Sequence, residues 1–162
     1  QAEARQDLRL MLRSYEALAY YYRLLGGDAN LTNAIRLSNR IIKLATDARY
    51  VEHQLIGFYL RGTGFFQMRK LSEAVNSSIK AVSQMERLNY LESPHITKAA
   101  IFYTHSQIMS AMGQLDTARN YMQKAYNDVL YAADFIGDEQ LRRSFLQNVS
   151  INRAIIAAGQ TL

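Results

Sequence analysis

Apolar positions recur at helical spacing along almost the whole chain. From Ala2 to Leu25, the residues Leu8, Met11, Leu12, Tyr15, Leu18, Ala19, Tyr22 and Leu25 form one broad apolar face, the spacing of an amphipathic helix. Gly26-Gly27-Asp28-Ala29-Asn30 reads as its end. A second helix is predicted over Thr32–Thr46, with Thr32 as N-cap. Further helices follow over Ala48–Met68, Ser72–Tyr90, Pro94–Met112, Asp116–Ile136, Glu139–Gln147 and Ile151–Ala158. Ser72, Asp116 and Ser150 are suitable N-cap residues. Ser93-Pro94 reads as a cap and a first helical residue, and Gly137-Asp138 as a stop followed by a cap. The expectation is eight helices in four antiparallel pairs.

The pattern also repeats. Phe58 to Ala81 recurs 44 residues later as Phe102 to Ala125. Phe58 matches Phe102, Tyr59 matches Tyr103, Met68 matches Met112, Leu71 matches Leu115, Ala74 matches Ala118 and Ala81 matches Ala125. A more divergent copy lies 40 residues ahead of the first, where Leu31, Ala34 and Ser38 match Leu71, Ala74 and Ser78. Self-similarity at a fixed period is the mark of stacked helical repeats. Phe58, Gly62 and Phe65, and likewise Phe102, Ser106 and Met109, form the packing stripe of each first helix. Gly62 and Ala74 are expected where the two helices of a pair touch. Gly64 costs its helix about 1 kcal/mol relative to alanine, so it implies a close backbone approach or a bend.

This arrangement resembles the tetratricopeptide repeat family. A small residue stands in mid first helix (Gly62, Ser106), a glycine in the turn (Gly113), and two alanines seven apart on the second helix (Ala74/Ala81, Ala118/Ala125). Arg69 stands where the family's turn glycine would fall. The 44-residue spacing exceeds the usual period of about 34, as in the longer arrays of large bacterial regulators. The ending, from Asp138 to Gly159, is similar to the close of such arrays. The resemblance implies an all-α right-handed α-solenoid of about four helix pairs, one domain over 1–162. It also implies a cytoplasmic interaction or scaffold module excised from a longer signalling protein, as the start at Gln1 suggests.

Composition narrows the chemistry. With 162 residues the chain can bury a real core, and 49% hydrophobic residues against 20% charged suit an ordered helical protein. There is no cysteine, hence no disulfide framework and no thiolate metal site. No apolar run approaches the roughly 18 residues of a membrane span. Lys and Arg exceed Asp and Glu to give a net charge of +5, spread along the chain. Arg142-Arg143 with Arg153 is too sparse for a nucleic-acid reader and reads as a solvated face. His53, His95 and His105 have no metal-ligand partner on their own helices, and His105 reads as a half-buried packing histidine. No nucleophile elbow or carboxylate pair in an apolar setting occurs. Gly62-Thr63-Gly64 lies within a helical pattern rather than after a strand, so it is packing and not a phosphate loop. Of Tyr20-Tyr21-Tyr22, at most two can face the core. The expectation is no enzyme, no cofactor and no bound metal.

In the family the first helix of each pair lines the concave side. One residue on from the packing stripe, a helix turns about 100°. That rotation puts Tyr59, Thr63 and Phe66 on one exposed stripe and Tyr103, Gln107 and Ser110 on the next, with Ala19 and Arg23 added from the first helix. These residues are the expected concave face for a protein or peptide partner, with a shared packing role for the recurring Tyr59 and Tyr103 as the alternative. Small-ligand sensing in the same groove is the alternative, and nucleic-acid binding through the net charge a third reading.

Overall fold

The computed structural model describes residues 2–88, 91 and 93–160. Among them are eight helices and no strand: α1 (Ala2–Leu25), α2 (Asp28–Ala48), α3 (Val51–Gln67), α4 (Leu71–Met85), α5 (Lys98–Ala111), α6 (Leu115–Asp134), α7 (Glu139–Gln147) and α8 (Ser150–Gly159). They fall into two compact units, Gln1–Ile96 and Thr97–Leu162.

In unit 1, α3 is the central helix. It packs against α1, α2 and α4, and α1 packs on α2. Its glycines explain how near the neighbours come. A Cβ at Gly57 would lie 2.8 Å from Ile42 Cγ1 and 3.3 Å from the Ile42 backbone nitrogen. One at Gly64 would lie 3.0 Å from Ile35 Cγ1, so Gly64 serves close approach to α2. Gly62 faces α4 as expected: a Cβ there would meet Ser77 Cβ at 3.3 Å and the Ala74 carbonyl oxygen at 3.5 Å. Phe65 is only half-buried.

In unit 2, α5 packs on α6, and α8 lies against both α6 and α7. Helix α7 has no buried residue, whereas α8 buries Asn152 and Ile155. Asn152 donates to the Phe145 carbonyl at 3.0 Å. Any side chain at Gly159 would run into the Tyr126 ring.

Three corners share one geometry. Arg49, Arg69 and Gly113 end α2, α3 and α5 in the left-handed region, at φ 58°, 58° and 75°. The next residue's N–H then reaches five residues back: Tyr50 to Ala45, Lys70 to Phe65, Gln114 to Met109, at 2.8–2.9 Å. This is the Schellman closure of a helix. Arg69 therefore adopts the left-handed conformation that Gly113 takes at the matched corner. Because the corner takes two or three residues, α4 and α6 start before Ser72 and Asp116, which do not cap them; their N-caps, Lys70 and Gln114, make no side-chain cap.

Other boundaries shift for similar reasons. Only Gly26 and Gly27, both at positive φ, separate α1 from α2, so Thr32 lies inside α2. Helix α4 ends at Met85, and Tyr90, the expected end, lies outside the described residues. Ser93 does not start α5; its hydroxyl accepts from Ile96 N at 3.2 Å, and Thr97 caps α5 by accepting from Ala100 N at 3.1 Å. Ser150 is the first residue of α8, not its cap. Asp138 caps α7 as expected, accepting from Leu141 N at 2.8 Å.

Candidate binding groove

The expected concave residues fare differently. Tyr59 and Thr63 are buried, at 7% and 5% exposure, and the Thr63 hydroxyl donates to the Leu60 carbonyl at 2.9 Å. They are not on an exposed stripe, and Ala19, at 0%, is core. The one-residue rotation assumes a helix covered on one side. Helix α3 has three helices against it, and every residue from 55 to 60 and from 62 to 64 is buried. Phe66 and Tyr103 are half-buried, and Gln107 and Ser110 are exposed. Tyr59, Thr63 and Phe66 belong to unit 1, and Tyr103, Gln107 and Ser110 to unit 2.

Arg23 is half-buried and leads to the groove that unit 1 does form. Its guanidinium lies 4.8 Å above the Tyr20 ring, and its Nε is buried without a hydrogen-bond partner. Tyr20 also stacks on His95, with centroids 5.3 Å apart and planes 18° from parallel. The Ser93 turn holds His95 in place. Beside this column is a cavity of about 460 Å³ lined by Arg13, Glu16, Ala17, Tyr20, Leu91, Pro94 and Ile96, among others. Along α1, Arg9, Arg13, Glu16, Tyr20 and Arg23 follow one another at i, i+4, i+7, i+11 and i+14, so they share one face.

A second cavity, of about 340 Å³, adjoins through Arg13 and is lined also by Arg9, Arg49, Tyr50, Val51, Glu52 and His53. At the boundary His53 Nδ1 meets Glu16 Oε1 at 2.6 Å, with both side chains 12% exposed. No chain comparison supplies a name for such a groove. Searches against protein-family models, characterised proteins and solved structures find no match.

The Glu16–His53 contact places an acid and a base within hydrogen-bond reach, which sequence reasoning missed. The two are 37 residues apart on different helices, so only the α1–α3 contact reveals them. They tie α1 to α3. His105 is buried rather than half-buried, at 3% exposure, edge-on to Tyr121 at 4.5 Å. Among the described residues, no helix is long and apolar enough to cross a membrane, and no three His, Cys, Asp or Glu cluster as metal ligands.

Proposed function

We propose that the chain is a protein-interaction module of tetratricopeptide-like design, a short right-handed stack of helical pairs, and not an enzyme. Its first unit takes a peptide or helical segment along α1. The observation that carries this reading is the larger cavity, lined by the stacked Tyr20 and His95 and by apolar Leu91, Pro94 and Ile96, with Arg23 on the Tyr20 ring. Aromatic and arginine anchors beside a desolvated pocket are what protein interfaces use. A cytoplasmic place in a bacterial regulator belongs to the same proposal and rests on the resemblance alone.

Selection of binders from a random peptide display library tests it. Tyr20→Ala should weaken a selected peptide about tenfold or more, a loss on the order of 1.4 kcal/mol, with Tm unchanged. Selection of no binder, or equal binding by the variant, overturns it. Tyr59→Ser serves as the contrast: its ring is buried, so its effect is on stability. The cavity volume also falls in the range of small-molecule sites, roughly 300–1,000 Å³, which favours ligand sensing as the second reading. A thermal shift with a metabolite panel and no selected peptide would replace the first reading by this one.

A further inference from the structure

Helix α1 carries a second apolar stripe, on the side opposite its buried Leu12 and Ala19. It runs through Leu10, Ser14, Ala17, Tyr21 and Leu24, with Leu18 and Leu25 along one edge. All of these residues are exposed, and Leu10, Tyr21, Leu24 and Leu25 are each more than half exposed. Of the three consecutive tyrosines, Tyr21 is therefore the one that points outward. The steps along the stripe alternate between four and three residues, the spacing of a coiled-coil seam. The seam is about 22 Å long. It exposes about 500 Å² of apolar side chain, at the upper end of what a single patch on a monomer carries. Ser14 satisfies its own hydroxyl by donating to the Leu10 carbonyl at 2.9 Å, so covering it leaves no donor unmet.

The order of sizes along the stripe says what fits it. The small Ser14 and Ala17 come first, and the large Tyr21 and Leu24 follow. Such a stripe is complementary to itself when two copies run antiparallel. We infer that it docks a second copy of this chain, α1 against α1 about a two-fold axis. In the register that sets large against small, Tyr21 faces Ala17 of the second copy and Leu24 faces its Ser14, and the symmetry repeats both pairs. Leu18 then meets Leu18 of the second copy beside the axis. No charged side chain enters the seam. Arg13 borders the edge opposite Leu18 and comes beside Gly27 of the second copy, at the C-terminal end of its α1, where helix carbonyls favour a cation. Asp7 of one copy and Asp28 of the other, both exposed, fall at the seam's two ends, where solvent screens them. Ala17 is the residue the stripe shares with the larger cavity; the other seam residues lie outside both cavities.

About 500 Å² per copy falls short of the roughly 800 Å² per partner of a standard interface. The dimer is accordingly weak and reversible, with a dissociation constant on the order of 10–100 µM. The test is analytical ultracentrifugation of the whole chain from about 1 µM to about 1 mM. Expected is a monomer–dimer equilibrium with its midpoint inside that range. Leu24→Glu should weaken it about a hundredfold, because the carboxylate would be covered without a partner. Leu24 is exposed in the monomer, so Tm measured at high dilution should stay the same. Ile79→Glu, on the exposed side of α4, should change nothing.

The chain has no cysteine, so introduced thiols report the register. A mixture of Ser14→Cys and Leu24→Cys chains should form a disulfide-linked dimer on mild oxidation, and either variant alone should not. A chain that stays monomeric throughout overturns the inference and leaves the stripe to an unlike partner. A dimer indifferent to Leu24→Glu, or one in which Ser14→Cys chains link to each other, overturns it as well.

Discussion

At matched repeat positions, α3–α4 sets Gln54 against Gln84, while α5–α6 sets Lys98 against Asp128. The first is a neutral hydrogen bond of 2.5 Å; the second is an ion pair at 3.8 Å. Two turns on, Arg61 Nε donates to Ser77 Oγ at 3.0 Å, and its counterpart His105 stands edge-on to Tyr121. Only the ring-and-lysine contact keeps its chemistry: Lys80 lies 5.4 Å over Phe58, and Lys124 lies 5.8 Å over Phe102. The same pairs of positions meet in both copies because the helix register brings their Cβ atoms together. What the side chains then do to each other is free to differ.

Backbone spacing differs too. The glycines at 57 and 64, pressed against α2, correspond to Ile101 and Ile108, which are buried. Unit 2 has no helix ahead of α5. The small residue in mid helix, Gly62 or Ser106, is common to both. Gly62 faces the second helix of its own pair and Ser106 is buried at the matched position, so small size there goes with the repeat. Small size at 57 and 64 belongs to a particular neighbour.

The sharpest way to break this distinction is Gly57→Leu. Its first carbon already meets Ile42 at 2.8 Å, so we expect a loss of about 3 kcal/mol, measured by urea unfolding. Ile101→Leu, volume-conserving at the matched position, should cost less than about 1.5 kcal/mol. Equal effects would mean that α2 can retreat and that the glycines are incidental.

The corners give a reciprocal pair of intermediate size. Gly113→Ala should cost about 1 kcal/mol, the ordinary penalty of a side chain in the left-handed region. Arg69→Gly relieves that penalty at the matched corner and should raise Tm by a smaller increment, because glycine also enlarges the freedom of the unfolded chain. If Arg69→Gly destabilises, the arginine holds its corner by more than conformation.

The smallest effect is expected at the ion pair. Burial raises the Asp128 carboxyl above its ordinary value, with Lys98 opposing the rise. The folded state therefore binds this proton more readily than the unfolded one, and stability is lost as pH rises from the ordinary carboxylate range through the raised value. The double variant Lys98→Gln with Asp128→Gln recreates the Gln54–Gln84 chemistry. It should gain on the order of 0.5 kcal/mol at neutral pH, since solvent screens half-exposed groups, and the gain should vanish in acid. A pH-independent difference would mean that packing, not charge, separates the pairs.

The helices were legible in the sequence because their evidence is local. Apolar spacing located α1, Gly113 marked its corner, and Gly137-Asp138 marked the stop of α6 and the cap of α7. Ser93-Pro94 misled because an equally good cap, Thr97, follows and wins. The groove was not legible. Arg49 lines one cavity with Arg9 and Arg13, and nothing in its own type announces the left-handed turn it takes at the end of α2. Tyr59 looked like a surface ring because a repeat seen in isolation hides how many neighbours its first helix has.

Helix α3, enclosed by α1, α2 and α4, has a further consequence on the timescale of hours. Its mid-helix amides can meet solvent only when the helices around it let go together, so their hydrogen exchange reports the opening of unit 1 as a whole. The amides of α7, where no residue is buried, need no such event and exchange by local fraying. Deuterium uptake followed along the chain would thus separate an inner clock from an outer one within a single molecule.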